Sequence, residues 1–490
     1  MVETLTQGTG DGRAHIGGNR AGLEVPPFKF GWPAYFHSPA NRLDSPEKEI
    51  NHITRQAGRQ LQPRAIALSW PYGPWGRFFM TFLPGDGRVA PVLLGNASIP
   101  LGLVFSTTGS YRTVGQEMLN GVLLALEEIS DSSEFDFRLE PIVKDPGGEP
   151  TAYGRECEEI LRNRNVRHII GCYTSSSRKE VIPAIEKFDA LLWYPSHYEG
   201  FESSGNVIYT GASPNQHIVP LLQYMLRERG GRVYCVGSNY IWAWENNRIL
   251  REIVQASGGA VLAEKYLTVG STDVGHFIRE IRATQPHFIF NTLIGESSYA
   301  FYRAYAEAGI DDHSIGGGRI PVTSCSLSEP ELLSIGRGAA AGHIASSVYF
   351  QSIDRPKNQR FVARYRARFG ADRVTSADAE ASYIATILLA SAIRDSGSCE
   401  IDPVRAALHS CRLDAPQGTV WIDPENNHSF LTPALGVSRA DGQFDVIWRG
   451  DRPVKPDPYL VWFDVNSVSA PMTGASGMQG SPGHLKVVRS

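Results

Sequence analysis

Cysteine pairs are missing from this chain: Cys157, Cys172, Cys235, Cys325, Cys399 and Cys411 stand far apart, with no C-x-x-C spacing. Neither a zinc site nor a dithiol redox motif is signalled, and reduced, mostly buried thiols are expected. Long apolar runs are missing too. No stretch of 18 apolar residues occurs, and Met1 to Arg20 lacks the basic and apolar segments of a secretory leader. The chain therefore reads as cytoplasmic, or as periplasmic or extracellular if its start is misassigned. Nor does one sign of charge dominate. With 47 Lys and Arg against 51 Asp and Glu, a net of −4, nothing in the total recommends nucleic acid or an anionic membrane as a direct partner.

Enzyme signatures are equally scarce. There is no G-x-S-x-G elbow, no H-E-x-x-H, no Walker loop and no G-x-G-x-x-G after a strand. Ser175 and His197 have the chemistry of a nucleophile and its base, but no partner is signalled for either. A non-catalytic protein without cofactor or metal is expected.

What is present is ordinary globular material. A length of 490 residues with 42% apolar side chains corresponds to about three domains, or to two large lobes with a smaller appendage. Residues 1–97 are punctuated by Gly and Pro and rich in aromatics (Phe28, Phe30, Trp32, Tyr35, Phe36, Trp70, Tyr72, Trp75). The runs Arg64–Trp70 and Arg77–Leu83 read as strands of a small β-rich extension.

From Ile99 apolar runs of four to eight residues alternate with amphipathic segments, the pattern of βα units around parallel sheets. A first series places strands at Leu101–Phe105, Phe137–Val143, His168–Cys172, Leu191–Tyr194 and Val207–Tyr209, with helices at Val114–Ile129, Tyr153–Arg162 and Arg178–Phe188. A second series begins with a helix from Gln216. It has strands at Val233–Val236, Ala260–Tyr266, Phe288–Leu293 and Ile320–Thr323, and helices at Glu245–Ala256, Val274–Ala283 and Ser298–Ala308. A strand at His343–Phe350, helices at Asn358–Phe369, Ala377–Arg394 and near Pro403–His409, and an antiparallel tail from Thr419 follow. The implied fold is an α/β clamp of two open parallel sheets. Lobe 1 comprises 98–217 and 348–400, lobe 2 comprises 218–347 and 401–465, and 466–490 form a tail.

Open α/β sheets bind ligands in the loops beyond their strand C-termini. The loop after His168–Cys172 reads Tyr173-Thr174-Ser175-Ser176-Ser177, and Ser177-x-x-Glu180 matches a capping box, so Ser177 is most economically an N-cap. Tyr173 and Ser175 precede that cap and are free to face a ligand beside helix N–H groups. The next strand runs into Tyr194-Pro195-Ser196-His197-Tyr198-Glu199. For His197 and Tyr198 a locally bonded loop role is as well supported as a ligand role. The second lobe offers Ser238-Asn239-Tyr240-Ile241-Trp242, Gly295-Glu296-Ser297 and Thr323-Ser324-Cys325-Ser326. Hydroxyls and rings with few charges favour a small, neutral, polar ligand. A free amino acid would want a carboxylate for its ammonium, for which Glu199, Glu245 and Glu296 stand in range.

These loops carry a resemblance. Val166 to Tyr173, Arg178-Lys179, Leu191 to Gly200, Gly211 to Gln216, Gly237 to Ile241, Ala415 to Gly418, Asn426-Asn427-His428 and Pro456 to Tyr459 resemble, in order, the amide- and urea-binding branch of the type I periplasmic-binding-protein family. The likeness spans about 98–465. It implies a bilobal clamp and a ligand site at Tyr173, Ser175, Tyr194, Ser196, Tyr240, Trp242 and Ser326. This chain departs from the amide sensor of that family at Ser196 (usually Thr), His197 (Pro), Trp242 (Tyr) and Asn239 (Asp). The resemblance implies two roles: a sensor of a small neutral amide or urea that holds an RNA-binding antitermination regulator and so regulates amide or urea utilisation, or the substrate-binding component, serving a permease, of a urea, short-chain amide or branched-chain-amino-acid-type ABC transporter. A homo-oligomer is compatible with either.

Overall fold

The computed structural model describes residues 66–68, 78–80, 97–312, 318–464 and 468. In the N-terminal extension Ile66–Leu68 and Phe78–Met80 pair antiparallel, with Ile66 opposite Met80, within the two runs expected to be strands. The aromatic residues of that extension outside this pair, and the tail apart from Val468, lie outside the described residues.

The first sheet consists of β1 (Ser98–Val104), β2 (Arg138–Lys144), β3 (His168–Gly171), β4 (Leu191–Tyr194) and β5 (Val207–Tyr209), all parallel, in the order β2-β1-β3-β4-β5. Every residue of β3 and β4 is buried, which is why their sequences are continuous apolar runs rather than alternating ones. Helices α1 (Arg112–Asp131), α2 (Pro150–Arg164) and α3 (Ser175–Lys187) make the crossovers, and α4 (Pro214–Glu228) leads to the second sheet.

There the chain forms β6 (Arg232–Ser238), α5 (Ile241–Ala256), β7 (Ala260–Leu267), α6 (Gly275–Thr284), β8 (Phe288–Thr292), α7 (Glu296–Ala308), β9 (Val322–Ser324), α8 (Glu329–Ile335) and β10 (Ile344–Ser347). It then runs through α9 (Pro356–Phe369), α10 (Ala377–Ser396) and α11 (Ile401–Leu408), and ends the sheet with the antiparallel strands β11 (Ala434–Ser438) and β12 (Phe444–Arg449). The order is β12-β11-β10-β9-β8-β6-β7. In each sheet the order reverses beside the first strand, so each has a crevice at the C-terminal edge of its strands.

Helices α9 and α10 return to the first sheet. Tyr365 and Arg373 both meet Glu117 of α1, and the Thr210 hydroxyl donates to the Ala381 carbonyl at 3.0 Å. Helix α10 is well specified at both ends: the Ser376 hydroxyl accepts the Ala379 N–H, Asp378 and Glu380 occupy the first turn, and Gly397 ends it left-handed at φ 63°. Farther on, the Asn427 carbonyl accepts the Tyr209 N–H at 2.9 Å, and the His428 ring stacks on Tyr209 with centroids 4.0 Å apart.

Some boundaries differ from expectation. Helix α3 begins one turn early because Thr174, not Ser177, is its cap. Ser177 is the third helical residue; its N–H donates to Thr174 Oγ1 and its hydroxyl accepts the Thr174 N–H, each at 3.1 Å. Helix α5 starts at Ile241 rather than Glu245, placing Trp242 in its first turn. Helix α8 was not anticipated, although Ser328-Glu329-Pro330-Glu331 forms a capping box, with the Glu331 carboxylate accepting the Ser328 N–H at 3.0 Å. Strand β10 stops at Ser347 instead of Phe350, and the chain turns so that Gln351 N–H donates to Glu329 at 2.7 Å. All six cysteines are free; five are buried and Cys399 is half-buried. Burial pushes the Cys157 thiol up to about 12, which keeps it protonated and unreactive.

Candidate functional site

Where the C-terminal edges of the two sheets face each other, they enclose a cavity of about 240 Å³, counting solvent at its mouth. The loops after β3 and β4 supply Tyr173, Thr174, Ser175, Ser196 and His197. The opposite wall is Tyr240, Trp242, Ile294 and Ser326. In this state the interior is tight, with space for about one water.

Each polar group is delivered by local structure. With Thr174 as cap, Ser175 opens helix α3, and the N–H groups of Ser175 and Ser176 have no acceptor within the helix. The Ser175 side chain is 1% exposed and its hydroxyl has no hydrogen-bond partner. On the other wall Tyr240 occupies the cap position of α5 and Trp242 its first turn, their rings stacked with centroids 6.4 Å apart. Burial holds the Tyr173 and Tyr240 phenols well above the ordinary range, so each stays an O–H donor at neutral pH. The His197 ring meets Trp242 edge-on at 5.8 Å, closing a side of the box.

Of the seven residues expected at the site, Tyr173, Ser175, Ser196, Tyr240, Trp242 and Ser326 line this cavity. Tyr194 does not. Its hydroxyl donates to the Tyr173 carbonyl at 2.8 Å, and its ring lies under the Arg178 guanidinium at 4.6 Å. Tyr194 thus sits behind the wall and braces it. Arg178 is fully buried between Tyr194 and Tyr198 and pairs with Glu199 at 2.8 Å and with Glu202. A cation at this depth persists only when its carboxylates are beside it.

The three carboxylates in range of an ammonium are otherwise engaged. Glu199 is held by Arg178, Glu245 by Arg248 at 2.8 Å, and Glu296 by Arg112 at 3.5 Å; none lines the cavity. Two other acidic residues, Glu331 of α8 and Asp378 of α10, lie near enough to raise the Tyr173 phenol further, beyond the effect of burial, when they are ionised. Sequence reasoning missed both because their elements are remote along the chain and their signals, a capping box and an acidic first turn, read as helix starts.

The walls also meet at the rim. Arg112 pairs with Glu296 across the mouth, Arg248 lies over the Phe201 ring at 5.2 Å, and a Cβ placed on Gly295 would stand 2.9 Å from the Ser110 carbonyl oxygen. The two sheets are therefore closed on each other.

A family described as "Periplasmic binding protein domain" matches residues 99–464. Among solved structures, a solute-binding protein of an ABC transporter from Rhodopseudomonas palustris BisB5, in complex with 3,4-dihydroxybenzoic acid, is 20% identical with a TM-score of 0.66. The match covers 73% of this chain and 99% of that one. The branched-chain amino acid transporter substrate-binding protein LivJ from Streptococcus pneumoniae, in complex with isoleucine, is 16% identical with a TM-score of 0.63, covering 73% and 100%. These two likenesses concern the fold. A curated protein, limonene hydroxylase of Geobacillus stearothermophilus, is 31% identical over 126 residues; the match spans 26% of this chain and 23% of that protein.

Proposed function

The chain belongs to the periplasmic binding protein domain family, and from that premise we propose that it is the substrate-binding component of an ABC transporter, closing without catalysis over a small neutral amide or urea-like solute. The sensor reading gives way to the transporter reading because the structural relatives are transporter binding proteins. The two lobes, each built around one of the sheets, act as the jaws, and ligand binding biases their open–closed equilibrium; part of 401–465, expected in lobe 2, packs on the first sheet's side, where Asn427 and His428 meet Tyr209.

One observation carries the ligand class: a cavity that holds about one water in this closed state, and whose jaws must part to admit a few heavy atoms, is walled by two phenols, three serine hydroxyls and an indole, with no Lys or Arg in its lining. A carbonyl oxygen suits the O–H donors and the free N–H groups of α3, and the amide nitrogens suit the remaining hydroxyl lone pairs. A carboxylate ligand would meet no Lys or Arg side chain here.

A four-heavy-atom ligand is limited to about −1.5 kcal/mol per atom, roughly −6 in all, which corresponds to a Kd of tens of micromolar. At about 100 times Kd it stabilises the fold by about 2.7 kcal/mol. Thermal melts of the purified protein with millimolar urea, formamide and acetamide are expected to shift upward for at least one of them. Flat melts across the panel remove this ligand class.

A further inference from the structure

Behind the site lies a second compartment of about 290 Å³, with room for about one water-sized group. His197 lines both spaces, and the adjoining pairs Pro195/Ser196 and Cys325/Ser326 divide between them, the first of each pair facing the rear compartment and the second the front. The imidazole is thus the partition, with one compartment on either side of it.

The rear compartment presents acceptors. His217, 1% exposed, places Nε2 at 3.1 Å from the Tyr198 carbonyl oxygen. A carbonyl only accepts, so Nε2 carries the proton and Nδ1 is left as a bare lone pair; Nδ1 has no hydrogen-bond partner. Burial, then the neighbouring His197, lowers His217 to about 3, so it stays neutral and stays an acceptor. Asp378, 3% exposed, has no hydrogen-bond partner at Oδ1, although the same carboxyl meets the Ser196 side chain; His197 Nδ1 stands 3.7 Å away, an ion-pair distance when that ring is protonated. The Ser346 hydroxyl, also on this wall, is spent on the His217 carbonyl at 2.6 Å. Two buried acceptors, one of them a carboxyl oxygen, belong to residues that line a space one small group wide.

Resting on the reading of the front compartment as an amide site, we propose that the rear compartment is an ammonium subsite, so that the ligand is a small amide that also carries a compact cationic amine. The carboxamide meets Tyr173, Ser175 and Tyr240, and the ammonium passes His197 to donate to Asp378 Oδ1 and His217 Nδ1. An ammonium is close to water in size and brings three donors, two of which suit Asp378 Oδ1 and His217 Nδ1, atoms without a hydrogen-bond partner.

Glycinamide, the acetamide skeleton with an amine one carbon from the carbonyl, tests this by calorimetric titration against acetamide. The wild-type protein is expected to bind glycinamide at least about tenfold more tightly, the effect of one charge-assisted hydrogen bond. Asp378→Asn should erase that advantage, bringing the affinities for glycinamide and acetamide within about threefold of each other. Ala381→Val, which narrows only the rear compartment, should do the same and serves if Asp378→Asn fails to fold. Equal affinities in the wild type, or parallel loss of both compounds in the variants, overturn the ammonium subsite and leave the amide site standing. Failure of both compounds to bind the wild type overturns the two readings together.

Discussion

At the scale of single residues, Ser175 is the most informative. Its hydroxyl is buried without a partner in the closed cavity, and such a group costs stability until a ligand satisfies it. Ser175→Ala is therefore expected to leave the ligand-free melting temperature unchanged or slightly raised while weakening acetamide binding about tenfold, the equivalent of one hydrogen bond. Melts with and without acetamide read both effects, and a clear loss of ligand-free stability would assign Ser175 a structural role instead. Six of the seven site residues were legible because each lies just beyond a strand end, where loop chemistry can be read from local sequence. Tyr194 was misplaced for the same reason: it closes the strand, and the pleat with Arg178 above its ring turns it away from the cavity.

At the scale of elements, the types of helix and strand followed from periodicity, while starts were off by a turn wherever two capping patterns competed. Thr174 and Ser177 both lie ahead of the same apolar face. The earlier start places Arg178 fully inside, against Glu199 and Glu202, and that tertiary pairing is invisible along the chain. Packing overrides propensity again between α1 and α10, where a Cβ on Gly121 would stand 2.1 Å from the Ala379 carbonyl oxygen. Alanine improves an isolated helix by about 1 kcal/mol over glycine, but parting two packed helices costs about 1–3 kcal/mol or more. Since the contact here is to backbone, the clash wins. Gly121→Ala should lower the midpoint of urea unfolding, and a rise would mean that the two helices pack more loosely than this.

At the scale of the whole molecule, buried ionisable groups make stability depend on pH in two opposing ways. Burial lowers His168 and His343 to about 4 and His217 to about 3. Their contribution is present above the unfolded value near 6.5 and is lost as pH falls toward 4. Burial raises Glu329, Glu331 and Glu380 to about 8, so their contribution is present below the unfolded value near 4.5 and is lost as pH rises through 8. Above about pH 6.5 only the carboxylates still titrate, and the urea midpoint is expected to fall between pH 6.5 and 8. Glu331→Gln keeps an oxygen acceptor for the Ser328 N–H and should make that fall smaller. An unchanged profile would show that Glu331 is ionised in the folded protein at neutral pH.

The alternation of apolar runs and amphipathic segments by itself determined two open α/β sheets and the edges at which their polar loops stand, because period and strand-end chemistry are properties of neighbouring residues. The sequence also determined that Tyr173, Ser175 and Tyr240 stand at such edges. Only the tertiary structure decided that these edges face each other, that Arg178 is sealed behind the wall, and that Asp378 and His217 converge behind His197. Asp378 lies more than 150 residues from His217, and contact at that separation is set by which surfaces exclude water together, a property of the folded chain that no local pattern records.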